Sequence, residues 1–144
     1  MQLTSTEFAN GATIPTLYTC DGQNVSPPLD WTGVPAEARY LALFVEDPDA
    51  PGGTFVHWVL FDIDPSTPGL GAGSVPPGVR GAVAYRGPCP PKGSKKDPHH
   101  YEFRLYALKE RLPVGEQPSA SDVRRAIAAS HPLAEGRLVG RYGR

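Results

Sequence analysis

Two short blocks concentrate the side chains capable of chemistry. The first is Asp47-Pro48-Asp49-Ala50-Pro51 with His57-Trp58 shortly after it, and the second is Gly87-Pro88-Cys89-Pro90-Pro91 followed by His99-His100-Tyr101. Together they offer carboxylates, imidazoles, a phenol and a thiol. Such groups are costly to bury unpaired, so two polar clusters at the ends of apolar strands point to one shared pocket. Imidazoles and a phenol donate to an anion, while aspartates fix imidazole tautomers or receive a cationic or hydroxyl group of the same ligand. That donor set suits a phosphate ester better than a bare hydrocarbon.

Each motif also has an ordinary structural use. Aspartate beside proline commonly caps a turn, and a core histidine commonly bonds a backbone carbonyl. Lys92, Lys95 and Lys96 form a short charge run that either solvates a loop or raises the potential beside a pocket mouth. Two rival chemistries use the same residues. Two histidines and a carboxylate make a facial metal triad, but no HxH or HxxxH spacing is present, and His99 and His100 point opposite ways on a strand. No metal site and no cofactor are expected. Cys89 paired with His99 would be a nucleophile, yet Pro88 and Pro90 flank it and no helix N-terminus follows to lower its pKa. A structural or redox-sensitive thiol fits it better.

Strands must position these groups. The 144 residues fit one domain, 1–144, and 16 Gly with 17 Pro favour short strands joined by turns. Tyr40 to Asp47 is apolar on both faces until its end, as a central strand is, and projects Asp47 from the face of Leu41, Leu43 and Val45. Alternation leaves Asp49 on the same side as Asp47. Thr54 to Asp62 is again apolar throughout, and strict alternation sets His57 beside Phe55, Val59 and Phe61. In His99 to Leu108, His99 and Tyr101 share a face with Phe103, Leu105 and Ala107, while His100 points away. Gly81 to Tyr85 and Gly136 to Tyr142 read as shorter strands, and Pro65 to Gly78 as a loop. Arg86 to Pro98 is a long, proline-rich connection of the kind that binds ligands. One helix is expected from about Ala120 to Ser130, with Ser119 and Asp122 as its cap, an inward stripe of Val123, Ala126 and Ile127, and Arg124 and Arg125 exposed. The turn-dense stretch from Ser5 to Trp31 closes over the core. A sharp turn must follow Asp47, and Ala50-Pro51 is where a cis peptide is affordable.

Composition limits the partners. Against 15 Asp plus Glu stand 14 Lys plus Arg, and the net charge of −1 provides no field for nucleic acid or an anionic membrane. Any anion binding is local. The segment Met1 to Glu7 has neither a basic nor an apolar leader signature, and no apolar run approaches membrane-spanning length. A soluble cytoplasmic protein, monomeric or homodimeric, is the expectation. Cys20 and Cys89 are the two cysteines and lack a CxxC arrangement, so a pair of reduced, partly buried thiols is expected rather than a disulfide scaffold.

Over nearly its whole length the chain resembles the phosphatidylethanolamine-binding protein family, in particular the bacterial Raf-kinase-inhibitor-like branch. The residues that carry the resemblance are Tyr18 to Gly22, Ser26 to Trp31, Asp47 to Pro51, His57-Trp58, Gly87 to Pro91, His99 to Tyr101, Tyr106 to Leu108 and Gly140 to Tyr142. It implies a mainly β fold of two antiparallel sheets packed together, with one or two peripheral helices. It also implies a small pocket for phosphate-type anions, whether a phospholipid headgroup, a phosphorylated small molecule or a phosphoprotein. Matched position by position, Asp47, Asp49 and His57 are the first block's pocket residues and Pro90, His99 and Tyr101 the second's, with Gly87 and Cys89 as accessories. The implied role is non-enzymatic and regulatory, with a kinase or a protease as the partner to be inhibited. A weak hydrolase or metal-dependent enzyme on the same cluster is the alternative. The resemblance further places Cys20 and Cys89 beside the pocket and close together, and makes Ser94 to Pro98 a long spacer before His99.

Overall fold

A computed structural model describes residues 1–144. The elements in order are β1 (Gln2–Thr4), β2 (Leu29–Thr32), β3 (Tyr40–Asp47), β4 (Phe55–Ile63), β5 (Gly69–Leu70), β6 (Arg80–Val83), β7 (His99–Leu108), α1 (Ala120–Ser130) and β8 (Ala134–Tyr142). They form two antiparallel sheets, β1-β2-β5 and β6-β4-β3-β7-β8, so the mainly β architecture is as expected. Single 3₁₀ turns at Thr16–Tyr18 and Ser94–Lys96 lie within segments read as irregular, and β5 falls inside the expected loop from Pro65 to Gly78.

β3 sits at the centre because both of its faces are apolar. Leu41, Leu43 and Val45 enter a core of 20 residues that includes Trp31 of the small sheet, Trp58, Tyr101 and Phe103. Ala42 and Phe44 face the other way, into a cluster of eight that Val123 and Ile127 of α1 cap. Each large apolar side chain so buried contributes about 1.5–3 kcal/mol. The helix forms where Ser119 and Asp122 close a reciprocal capping box, and it ends at His131 in a left-handed conformation. Arg124 is exposed, as expected, while its guanidinium reaches back to Glu46 and lies over the Phe44 ring. Arg125 pairs with Asp122.

The turn-rich N-terminal stretch covers the β8 edge. Gly11 N–H donates to the Val139 carbonyl at 2.7 Å and Ile14 N–H to that of Arg141 at 2.8 Å, while the Asn10 side chain accepts the Val139 amide. An exposed sheet edge is thereby occupied.

Two irregularities decide what faces what. Opposite β3, Val45 pairs with Trp58 but Glu46 pairs with Val56, which makes His57 an extra residue, a β-bulge. Strict alternation therefore breaks at His57. It packs on Tyr101 on the large-core side, whereas Val59 and Phe61 lie in the cluster under α1. The expected grouping of His57 with Val59 and Phe61 is corrected accordingly. A second extra residue falls between Leu60 and Ile63, where Asp62 adopts φ 58°.

Ala50-Pro51 is trans, contrary to expectation, since the chain holds no cis peptide. The turn closes by other means. Asp47 Oδ1 accepts the Asp49 amide at 2.7 Å, and Gly53, at φ 104°, donates its amide to the Ala50 carbonyl. A left-handed glycine reverses the chain without a cis bond.

Candidate functional site

The end of β3, the bulge of β4 and the start of β7 meet the proline-rich loop around a cavity of about 370 Å³. Asp47, His57, Pro90, His99 and Tyr101 all line it, as do Gly87 and Cys89. Asp49 stands outside. Its Oδ2 accepts both the amide and the Nδ1–H of His100 at 2.8 Å, at the surface, and the His100 bond holds its carboxyl below the usual range. The two aspartates therefore do not share one side. The turn that makes Asp47 accept the Asp49 amide swings the second carboxylate outward.

Inside the cavity the bonds assign the tautomers. Asp47 is 3% exposed, and its Oδ2 accepts the His99 Nδ1–H at 2.7 Å. With Oδ1 on the Asp49 amide, both Asp47 oxygens are committed. His57 Nδ1–H donates to the Arg86 carbonyl at 2.5 Å. Each imidazole is thus pinned through Nδ1, leaving Nε2 without a protein partner. Burial pushes the His57 pKa below its ordinary 6.5, opposed by its bond to Arg86 and by the Asp47 charge. Neutral His57 presents an Nε2 lone pair.

Tyr101 completes the floor. Only 1% exposed, it sits edge-on to His57 with ring centroids 5.1 Å apart, and its hydroxyl makes no hydrogen bond. Burial, with Asp47 and Asp49 nearby, pushes its pKa up, so it remains a neutral donor. An unsatisfied buried hydroxyl costs about 1–3 kcal/mol.

The loop is held to the N-terminal stretch by close backbone approach. A side chain at Gly87 would run into Asn24 Oδ1 and the Tyr18 carbonyl. Gly87 N–H donates to Asn24 Oδ1 at 2.8 Å, and Tyr85 O–H to the Tyr18 carbonyl at 2.6 Å. Cys20 and Cys89 meet at the rim and are joined in a disulfide, with Cα atoms 5.4 Å apart. The expected free thiols are corrected. Cys20 N–H bonds the Pro88 carbonyl, which brings the two cysteines into bridging range. Arg144 Nη1 approaches the Cys89 sulfur at 3.6 Å.

Two lining residues escaped the sequence reading. Asn24, at φ 59°, is a connector whose role depends on the distant Gly87. Arg86 immediately precedes the second block, and its charge at that spot was the available signal. The cavity offers two imidazole nitrogens and a phenolic donor, a set matched to an anion, with the exposed Arg86 guanidinium at its mouth. Nowhere in the chain do three His, Cys, Asp or Glu side chains gather in metal-holding range.

A family model described as phosphatidylethanolamine-binding protein matches residues 4–143. A UPF0098 protein of Methanothermobacter thermautotrophicus is 45% identical, covering 100% of this chain and 99% of its own length. LppC of Mycobacterium tuberculosis, a protein named as a lipoprotein, is 42% identical over 99% of this chain and 72% of its own. Among solved structures, the homologue CT736 of Chlamydia trachomatis superposes with a TM-score of 0.89 at 34% identity, covering 99% of this chain and 97% of that one. YbcL of E. coli gives 0.88 at 33%, covering 99% and 98%. A carboxypeptidase Y inhibitor solved with its cognate proteinase shares the fold alone, at 21% identity and a TM-score of 0.55 over 90% of this chain and 75% of that one. The chain belongs to the phosphatidylethanolamine-binding protein family.

Proposed function

We propose that the cavity binds phosphate-type anionic groups, on a phospholipid headgroup, a phosphorylated small molecule or a phosphoprotein, without turning them over. One observation carries the reading: the Tyr101 hydroxyl is buried at the cavity floor with no partner. A ligand oxygen that accepts from it removes a standing cost of about 1–3 kcal/mol. The two free Nε2 atoms extend the same surface. His99, held by Asp47 through Nδ1, turns its Nε2 to the ligand, and neutral His57 accepts a P–OH or ligand hydroxyl.

Non-enzymatic binding fits these groups better than hydrolysis. The cavity's sulfur is tied up in the Cys20–Cys89 bond, so no thiol nucleophile faces His99. Release of nitrophenol from nitrophenyl phosphate or acetate, lost in His99→Ala, would restore the hydrolase reading. Kinase or protease inhibition is not carried into the proposal, because it belongs to contact surfaces rather than to the fold.

No helix is long and apolar enough to cross a membrane. The disulfide, with a relative named as a lipoprotein, favours a compartment where disulfides persist over the cytoplasm expected from the sequence.

Calorimetry with sulfate and inorganic phosphate from about pH 5 to pH 8 tests the reading on wild type, His57→Ala and His99→Ala. Wild type binds both anions. His99→Ala weakens binding by roughly 1.5–3 kcal/mol, the value of a charge-assisted hydrogen bond. Sulfate affinity rises as pH falls, with His57 taking its proton only below its ordinary 6.5 because burial opposes the charge. Phosphate rises less, because the dianion protonates near pH 6. Unchanged affinity in both variants sinks the proposal.

A further inference from the structure

We infer that Arg86 and Phe55 form an outer subsite that selects phosphomonoesters whose far end is anionic and disfavours aminoalkyl phosphates such as phosphoethanolamine. This rests on the anion-binding reading above and names the class of ligand for that same cavity.

The geometry is a ladder leading from the floor to the mouth. The buried Tyr101 ring lies 5.1 Å from that of His57, and the His57 ring lies 4.8 Å from that of Phe55. The Arg86 guanidinium sits 5.2 Å over the Phe55 ring. Exposure rises along it, from 1% at Tyr101 through 6% at His57 to 39% at Phe55, and Arg86 is exposed. A phosphate bonded to Tyr101 therefore leaves the guanidinium for another part of the ligand.

Charge pairing sets the sign of that part. Five titratable or charged side chains line the cavity, namely Asp47, His57, Arg86, His99 and the neutral phenol Tyr101. Asp47 is committed through both oxygens, to the Asp49 amide and to His99 Nδ1–H. Arg86 forms no ion pair and no side-chain hydrogen bond; its one side-chain contact of note is the Phe55 ring. Cation–π contact orients a guanidinium without using any of its five N–H donors. An ammonium at the mouth would meet this cation and find no free carboxylate, because Asp49 lies outside with His100. A carboxylate or second phosphate there gains a bidentate partner. Phe55 and the neighbouring Ala50 and Pro51 provide an apolar wall for a short linker.

The test is calorimetry with three probes, inorganic phosphate, phosphoethanolamine and phosphoglycolate, on wild type, Arg86→Gln and Arg86→Glu. The folded structure uses the backbone carbonyl of Arg86, which both substitutions keep, and the side chain is at the surface. Wild type prefers phosphoglycolate over phosphoethanolamine by roughly tenfold, the size of one charged hydrogen-bonding contact. Arg86→Gln removes the preference and leaves inorganic phosphate within about twofold of wild type, and Arg86→Glu reverses the order. Equal affinity of wild type for both esters overturns the inference. So does an Arg86→Gln variant that loses inorganic phosphate as strongly as the esters, since the arginine then belongs to the floor; in either case the anion site stands. A wild type that binds no inorganic phosphate removes both the site and the subsite.

Discussion

Glu46 and Asp47 are neighbours on β3, yet they lie on opposite sides of the sheet and meet opposite fates. Glu46 faces α1, where Arg124 closes an ion pair at 2.5 Å beside a groove of about 340 Å³. Nearby, Glu102 holds Arg104 and Arg137, and only Arg104 Nε is buried there without a hydrogen bond. Asp47 faces the cavity, where His99 and a backbone amide use its oxygens but His57 Nε2, His99 Nε2, the Tyr101 hydroxyl and Arg86 remain without partners. Both regions are built from polar groups at the margin of an apolar sheet. The difference is completeness. A finished network holds an element in place, whereas an unfinished one carries a cost that only a ligand removes.

The largest test of that contrast is covalent. The Cys20–Cys89 bond spans 69 residues and fastens the cavity rim, whereas no such staple holds α1. Cys20→Ser with Cys89→Ser, or reduction of the wild type, is expected to lower stability by about 4 kcal/mol from loop-closure entropy, measured by urea denaturation. A loss below about 1 kcal/mol in both would show that the rim is held by its backbone bonds alone.

Next in size is the finished side. Glu46→Ala should cost about 1–2 kcal/mol, discounted because Arg124 is half exposed, and leave phosphate affinity unchanged. A large fall in affinity would mean that the two faces of β3 are coupled.

Tyr101→Phe reverses the sign. Removing an unpartnered buried hydroxyl is expected to raise stability by about 1 kcal/mol while phosphate binding weakens. Paired losses in both would show that the hydroxyl already serves the fold.

The smallest effect is in the pH dependence. Because the folded His57 pKa lies below 6.5, the unfolded chain takes up this proton first. Its contribution is complete above about pH 6.5 and is lost as pH falls from there toward the folded value. Thermal denaturation should show that slope, sulfate should reduce it by pairing with the imidazolium, and His57→Gln should flatten it. A slope unaffected by His57→Gln assigns the proton uptake elsewhere.

Much of this architecture is legible in the chain because its cause is local. β3, β7 and β8 follow apolar runs or period-two alternation, and α1 is announced by Ser119, Asp122 and the Val123–Ile127 stripe. His99 and Tyr101 reach one cavity because β7 alternates without interruption. The face of His57 was not legible, since the bulge exists only in the register of β4 against β3. Nor was the outward swing of Asp49, which the His100 backbone and side chain decide together across 51 residues.

By itself the sequence determined which residues carry chemistry and which strands bear them, since residue type and short-range periodicity are properties of the chain alone. Tertiary structure decided which of those groups are left unpaired. Asp47 is used up by His99, Cys89 by Cys20 and Asp49 by His100, while Tyr101 and Arg86 are left over. The reason is that pairing over such separations depends on register, bulges and loop closure, which are set by the packing of the whole core rather than by any segment of it.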